Sequence, residues 1–240
     1  MKILAVIPAR YDSQRFPGKV LAHIGDRPMV WWVYEAAKCC PDFSKVVVAT
    51  DSEDVAECVK QLGGEVEMTR SDHTTGTDRV AEVAERYPEM GAVANVQGDQ
   101  PFVTPQMLTQ LVNPYLRGEF PEMTTLACPL DMKTGYQDPN TVKVVCDRHS
   151  HALYFSRAPI PYFRHSVEVP VFHHLGLYAF ERDFLSKYSQ LEPTPLEQCE
   201  GLEQLRVLEH GFAIRVCQTE KAVLEINTPE DLVQAQILIV

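Results

Sequence analysis

The apolar positions of the chain fall first into short continuous runs and then into helical spacings. Ile3 to Pro8 is wholly apolar, the pattern of a strand buried on both faces of a parallel sheet, and a polar loop from Arg10 to Lys19 follows it. From Pro28 to Lys38, Met29, Val30, Trp32, Val33, Ala36 and Ala37 recur at helical spacing, with Pro28 suited to the first turn. Lys45 to Thr50 predicts a second buried strand, and Asp51 to Leu62 a helix that Gly63 and Gly64 stop. Thr77 to Tyr87 predicts another helix, and Ala92 to Val96 a strand ending in Gln97-Gly98-Asp99-Gln100-Pro101. Strand, loop and helix in repetition imply a mostly parallel sheet with helices on both faces.

The second half changes character. Met123 to Cys128, Val142 to Cys146, His151 to Phe155 and His174 to Phe180 are strand-like with short connections, which predicts inserted antiparallel pairs. Asp183 to Tyr188 and Pro195 to Glu209 read as helices, the second ended by His210-Gly211. Phe212 to Gln218 reads as a strand and Pro229 to Ile239 as a closing helix. With no repeat and no low-complexity linker, the expectation is one α/β domain over residues 1–240. Its sheet is mixed and mostly parallel in a three-layer αβα arrangement, with a small antiparallel extension.

Composition narrows the class. With 45% apolar and 23% charged residues over 240 positions, the chain is neither disordered nor collagen-like. Its length allows burial of roughly 70–75% of the unfolded surface without disulfides or structural metal. Lys plus Arg number 22 against 33 Asp plus Glu, a net charge of −11 that repels nucleic-acid backbone and anionic lipid. No nucleic-acid partner is expected, and any anionic ligand requires positive charge gathered locally. Seven scattered cysteines, with no C-x-x-C pair and no zinc-type spacing, read as reduced thiols of a cytoplasmic protein. No apolar run approaches the ~18 residues of a membrane span, so no membrane insertion is expected.

The local charge lies in the loop from Ala9 to Lys19. Arg10, Arg15 and Lys19 put three cations, with the Ser13 hydroxyl, beyond the carboxyl end of the first strand. Two guanidinium forks and one ammonium suit a triphosphate; the alternative is a solvated basic loop. Neither a Walker loop nor a G-x-G-x-x-G fingerprint occurs, which counts against a P-loop kinase and a nicotinamide enzyme.

Several motifs in order carry a resemblance. Ile7-Pro8-Ala9-Arg10, Arg15-Phe16-Pro17-Gly18-Lys19, Ala49-Thr50-Asp51, Gly76-Thr77-Asp78-Arg79 and Asn95-Val96-Gln97-Gly98-Asp99 resemble the sugar-acid cytidylyltransferases. Tyr154 to Pro161, His174-Leu175-Gly176-Leu177-Tyr178 and Leu202-Glu203-Gln204-Leu205-Arg206 narrow the likeness to the 3-deoxy-manno-octulosonate (Kdo) cytidylyltransferase family, or CMP-Kdo synthetases, and it runs to Leu232. The resemblance implies a nucleotide-diphospho-sugar transferase (Rossmann-like) fold and a transfer of CMP from CTP to the anomeric hydroxyl of Kdo. The products are CMP-Kdo, for lipopolysaccharide or cell-surface polysaccharide synthesis, and pyrophosphate. It also implies Mg2+ as cofactor, a homodimer, and a division into a nucleotide-binding half (about 1–120) and a sugar-acid-binding and dimerisation half (about 121–240). A related sugar acid, such as 8-amino-Kdo or a nonulosonate, and a catalytically impaired nucleotide-sugar binding paralogue are the alternatives.

Residue by residue, the resemblance places Arg10, Ser13, Arg15 and Lys19 on the phosphates, with Lys19, Arg10 and Asp99 as the catalytic set. Asp72, Thr75, Gly76, Thr77, Gln97 and Gly98 fall on the nucleotide, although Thr75 and Thr77 read equally well as helix caps. Gln97, Arg157, His174, Tyr178, Glu203 and Gln204 fall on the sugar acid; Tyr178 reads also as core, and Glu203 with Arg206 as a surface i,i+3 pair. Asp99 and Asn227 fall on the metal.

Two positions depart from the family pattern. Gln100 stands where an acidic residue is usual, and Asn227 stands where Val-Asp-Thr-Pro-Glu-Asp has its first Asp. Losing that charge implies weaker metal binding. Asn227 acting as a neutral ligand, a neighbour such as Glu225 taking over, and a paralogue of altered activity all remain open at this point.

Overall fold

The structure is a computed structural model that describes residues 1–11 and 16–239. In chain order the strands are β1 (Ile3–Pro8), β2 (His23–Ile24), β3 (Arg27–Pro28), β4 (Lys45–Thr50), β5 (Val66–Met68), β6 (Ala92–Asn95), β7 (Met123–Pro129), β8 (Lys143–Cys146), β9 (Ala152–Ser156), β10 (Phe172–Glu181) and β11 (Ile214–Gln218). The helices are α1 (Met29–Lys38), α2 (Glu53–Gln61), α3 (Gly76–Glu85), α4 (Pro105–Leu116), α5 (Arg182–Tyr188), α6 (Pro195–Glu200), α7 (Leu205–Glu209) and α8 (Pro229–Ile239).

The main sheet runs β11-β7-β10-β6-β1-β4-β5. β1 pairs in parallel with β4 and β6, and β4 with β5, as the apolar runs predict. β10 is the inserted antiparallel element, pairing with β6, β7 and β8, and β8 pairs antiparallel with β9. Alternation along each buried strand serves two cores. Ile3, Ala5 and Ile7 face α1, α2 and α4, while Leu4 and Val6 face α3, α5 and α7. The fold is therefore a three-layer αβα sandwich on a mixed sheet.

Where sequence and structure differ, the local cause is visible. Pro28 is the N-cap of α1 and not its first turn. The helix expected from Pro195 to Glu209 is broken in two, because Gly201 adopts φ 63° and ψ 45° and caps α6. The break takes Leu202, Glu203 and Gln204 out of the helical ladder and turns them to the cavity described below. As a result the surface i,i+3 pair does not form; Arg206 binds Glu197 instead, at 2.6 Å, with both side chains buried. The short hairpin β2-β3, the three-residue β5 and the 12-residue α4 lie where no element is expected from the pattern.

Candidate active site

A cavity of about 640 Å3 opens at the carboxyl ends of the central strands, walled on one side by Gln97, Asp99 and Asn227 and on the other by Arg157, His174 and Glu203. Gly98 has no side chain for a packing reason: a Cβ there would sit 2.9 Å from the Pro8 carbonyl oxygen, so the turn carrying Asp99 lies against the end of β1.

Lys19 follows Gly18, whose φ of 69° starts a short 3-10 turn at Lys19–Leu21. That turn delivers the ammonium to Asp99 Oδ2 at 2.7 Å, and the same nitrogen donates to the Ile226 carbonyl at 3.2 Å. Arg10 donates from its two terminal nitrogens to the carbonyls of His73 (2.9 Å) and Thr74 (3.2 Å). Burial, and then the nearby Arg79 charge, lower its pKa. Ser13 and Arg15 lie outside the described residues.

Thr75 is the N-cap of α3, and Asp78 completes a capping box with it, so the capping reading of Thr75 holds. Gly76 and Thr77 line the cavity. Asp72 does not; it is exposed and pairs with Arg70 at 3.4 Å. Thr77 belongs to a file of hydrogen bonds that crosses the site. The Gln97 amide donates to Asn95 Oδ1 (3.2 Å), the Asn95 amide to Thr77 Oγ1 (3.3 Å), and the Thr77 hydroxyl to Glu203 Oε2 (3.3 Å). Burial, followed by the Asp78 charge, raises the Glu203 pKa.

A second file sets the far wall. Tyr178 donates to Gln204 Oε1 (3.2 Å), and Gln204 Nε2 lies 3.4 Å from His174 Nδ1. His174 Nε2 lies 2.9 Å from Thr125 Oγ1, whose proton goes to the Leu177 carbonyl at 2.8 Å. Since the Thr125 proton is spent there, His174 donates from Nε2 and accepts at Nδ1, the tautomer of a neutral imidazole. Burial and the neighbouring His173 push its pKa down to about 3. Arg157 donates from Nε to the Glu200 carbonyl (2.8 Å) and from one terminal nitrogen to the Pro139 carbonyl (3.0 Å). The buried Lys143 holds the same wall through the carbonyls of Asp138, Thr141 and Arg157.

Around Asp99 the donors are oxygens. The 225–227 turn docks on it through Ile226 N–H to the Asp99 carbonyl (3.0 Å), and Glu225 and Asn227 line the cavity beside it. Burial, and then the Asp99 charge, raises the Glu225 pKa. Gln100 Oε1 is buried with no hydrogen-bond partner. Carboxylate and amide oxygens with an unsatisfied acceptor fit a hard divalent cation or its waters. Among the described residues no group of three or more His, Cys, Asp and Glu side chains is assembled for a metal.

Sequence reasoning missed several supporting residues. Thr125 and Asn95 are wholly buried links of the two files; Thr125 lies in no motif that the sequence offered, and Asn95 was quoted only within one, with no role given to it. Arg79, quoted above only within a motif, is also buried and reaches Asp51 at 3.2 Å. The signal available for it was a charge at a core-facing position of α3.

Residues 4–221 match the family described as Cytidylyltransferase. A 3-deoxy-manno-octulosonate cytidylyltransferase of Acaryochloris marina is 71% identical over 239 residues, covering 100% of this chain and 98% of that protein. The chain belongs to the 3-deoxy-manno-octulosonate cytidylyltransferase family. The enzyme of that name from Synechococcus elongatus is 56% identical, covering 98% of this chain and 97% of its own length. Among solved structures, a CMP:2-keto-3-deoxy-manno-octonic acid synthetase complexed with CTP is 39% identical with a TM-score of 0.95, covering 100% of this chain and 98% of that one. A 4-diphosphocytidyl-2C-methyl-D-erythritol synthase from Anaerococcus prevotii, at 14% identity, TM-score 0.65 and coverage of 99% and 98%, shares the cytidylyltransferase's fold.

Proposed function

We propose that this chain transfers CMP from CTP to the anomeric hydroxyl of Kdo, releasing pyrophosphate and activating the sugar for lipopolysaccharide or cell-surface polysaccharide synthesis. The observation that carries the reading is one cavity in which Asp99, held by Lys19, faces a sugar wall of Arg157, His174, Tyr178, Glu203 and Gln204. The anomeric oxygen forms a bond to the α-phosphorus, the bond from that phosphorus to the α,β-bridging oxygen breaks to release pyrophosphate, and the hydroxyl proton passes to solvent water. Rate comes from alignment and from cations placed where charge grows on the leaving group. Lys19 is the cation for that charge, Arg10 holds phosphate oxygens, and the N-terminus of α3 with Gly76 and Thr77 takes the nucleoside. Arg157 offsets the sugar carboxylate. The polar side chains of the far wall, fixed by their own hydrogen bonds, receive its hydroxyls without reorganising.

Asp99 and the 225–227 turn would hold Mg2+, which when bound neutralises phosphate charge. The second half supports a homodimer. Tyr162 is 87% exposed, and Phe163, Val167, Val169 and Met132 present further apolar surface on the same half. A second copy of the chain would cover it. No helix among the described residues is long and apolar enough to cross a membrane, and the seven cysteines are unpaired, which supports a cytoplasmic location.

The deciding experiment is pyrophosphate release with CTP, Mg2+ and a panel of sugar acids, beside a direct measurement of CTP binding. Release with Kdo is expected. CTP binding without release from any sugar acid would overturn the assignment.

A further inference from the structure

Both departures from the family pattern, Gln100 and Asn227, are amides, and both donate to one carboxylate. Gln100 Nε2 donates to Glu225 Oε1 at 2.7 Å, and the Asn227 side chain hydrogen-bonds the same carboxylate. Glu225 lines the cavity with Asp99, and its turn is fastened to Asp99 twice, through the Ile226 N–H and through Lys19. Asp231 is committed elsewhere: its Oδ2 accepts from the backbone N–H groups of Asn227 and Thr228, each at 2.9 Å, at the start of α8. Opposite Glu225 the wall is Gly176, where a Cβ would stand 3.9 Å from Glu225 Oε1, so residue 176 puts no side chain of its own against the carboxylate.

We infer that the second carboxylate for the divalent cation has moved from position 227 to Glu225, and that Gln100 and Asn227 are the donors that hold it there. A carboxylate accepts and an amide nitrogen donates, so a carboxylate at 225 is best surrounded by amides, whereas acids at 100 and 227 would crowd it with like charge. The two departures are then one exchange that leaves the carboxylate count at the cation at two, Asp99 and Glu225. Gln100 Oε1, buried and unpaired beside them, supplies an acceptor for a cation-bound water.

This inference rests on the Mg2+ reading above, and its test separates the two. Mn2+ alone, as a spectroscopic substitute, is titrated into the full chain and followed by electron paramagnetic resonance, with circular dichroism to verify folding. Wild type binds; D99N and the isosteric E225Q each weaken binding at least tenfold; and N227D added to E225Q restores it to within about threefold of wild type. If D99N loses Mn2+ while E225Q matches wild type, the relocation is overturned and the metal reading stands. If E225Q weakens binding and N227D does not restore it, the exchange between the two positions is overturned. If wild type takes up no Mn2+, the metal reading falls and this inference with it.

Discussion

Lys19 and Asp99, 80 positions apart in the chain, meet at 2.7 Å at the cavity mouth. The pair is largely shielded, with 12% of the lysine side chain and 26% of the aspartate exposed, so the ammonium is positioned before any nucleotide arrives. Replacing Lys19 with Met is expected to lower kcat by about 10^2 to 10^3, the usual cost of one electrostatic donor to the transition state. CTP affinity, measured by calorimetry, should fall much less. A loss confined to CTP affinity, with kcat unchanged, would show that Lys19 acts on the ground state alone.

Arg10 depends on a loop that another pair secures. His73 Nε2 lies 2.5 Å from Glu82 Oε2, and Glu82 also accepts the Arg70 backbone N–H at 3.1 Å. His73→Ala should loosen the carbonyls that hold Arg10 and reduce kcat/KM for CTP by roughly tenfold. His73→Gln, whose amide still reaches for Glu82, should recover part of that loss. Steady-state kinetics on the two variants separates anchoring from simple bulk.

How much of this was legible beforehand depended on the range of the interactions. β1, β4 and β6 announce themselves because strands buried on both faces need uninterrupted apolar runs. α4 went unseen because Pro105 and Pro114 punctuate it, although Thr104 caps it through the Met107 N–H. The broken helix at Gly201 was invisible because no apolar position changes there; one left-handed residue decides it. The resemblance named the wall residues Arg157, His174 and Glu203. Their partners Glu200, Thr125 and Thr77 are set by tertiary packing that no spacing encodes.

His174 predicts a pH effect with a definite sign. Its folded pKa is pushed down to about 3 from the ordinary histidine value of 6.5, so its contribution to stability is complete above pH 6.5 and is lost as pH falls from there toward 3. Each pH unit in that window costs about 1.4 kcal/mol. Urea unfolding at pH 7 and 5.5 should show the decline in wild type and a shallower one in His174→Gln. His173, also lowered by burial, keeps the variant's slope from vanishing. Parallel slopes in the two proteins would exclude His174 as the source.

Arg206 and Glu197 form a buried two-point contact, with Nε to Oε2 at 2.8 Å and a terminal nitrogen to Oε1 at 2.6 Å. Arg206→Met leaves the buried Glu197 without its cation, with only the Thr194 backbone N–H still donating to it at 3.1 Å, and should cost about 3–5 kcal/mol. The double variant Arg206→Met with Glu197→Gln should regain a large part of that. Chemical denaturation midpoints measure both, and an additive result would mean that the two side chains do not act as a pair.

The file from Gln97 through Asn95 and Thr77 to Glu203 runs in one sense, with Gln97 donating at one end, Asn95 and Thr77 each accepting one hydrogen bond and donating the next, and Glu203 accepting at the other. Its direction is imposed at the end where the acceptor-only carboxylate sits. A proton arriving on Glu203 would remove the reason for Thr77 to point that way and free the hydroxyl to turn. The nucleotide side of the cavity would then register, through three rotations and no backbone movement, whether the acceptor's side is charged.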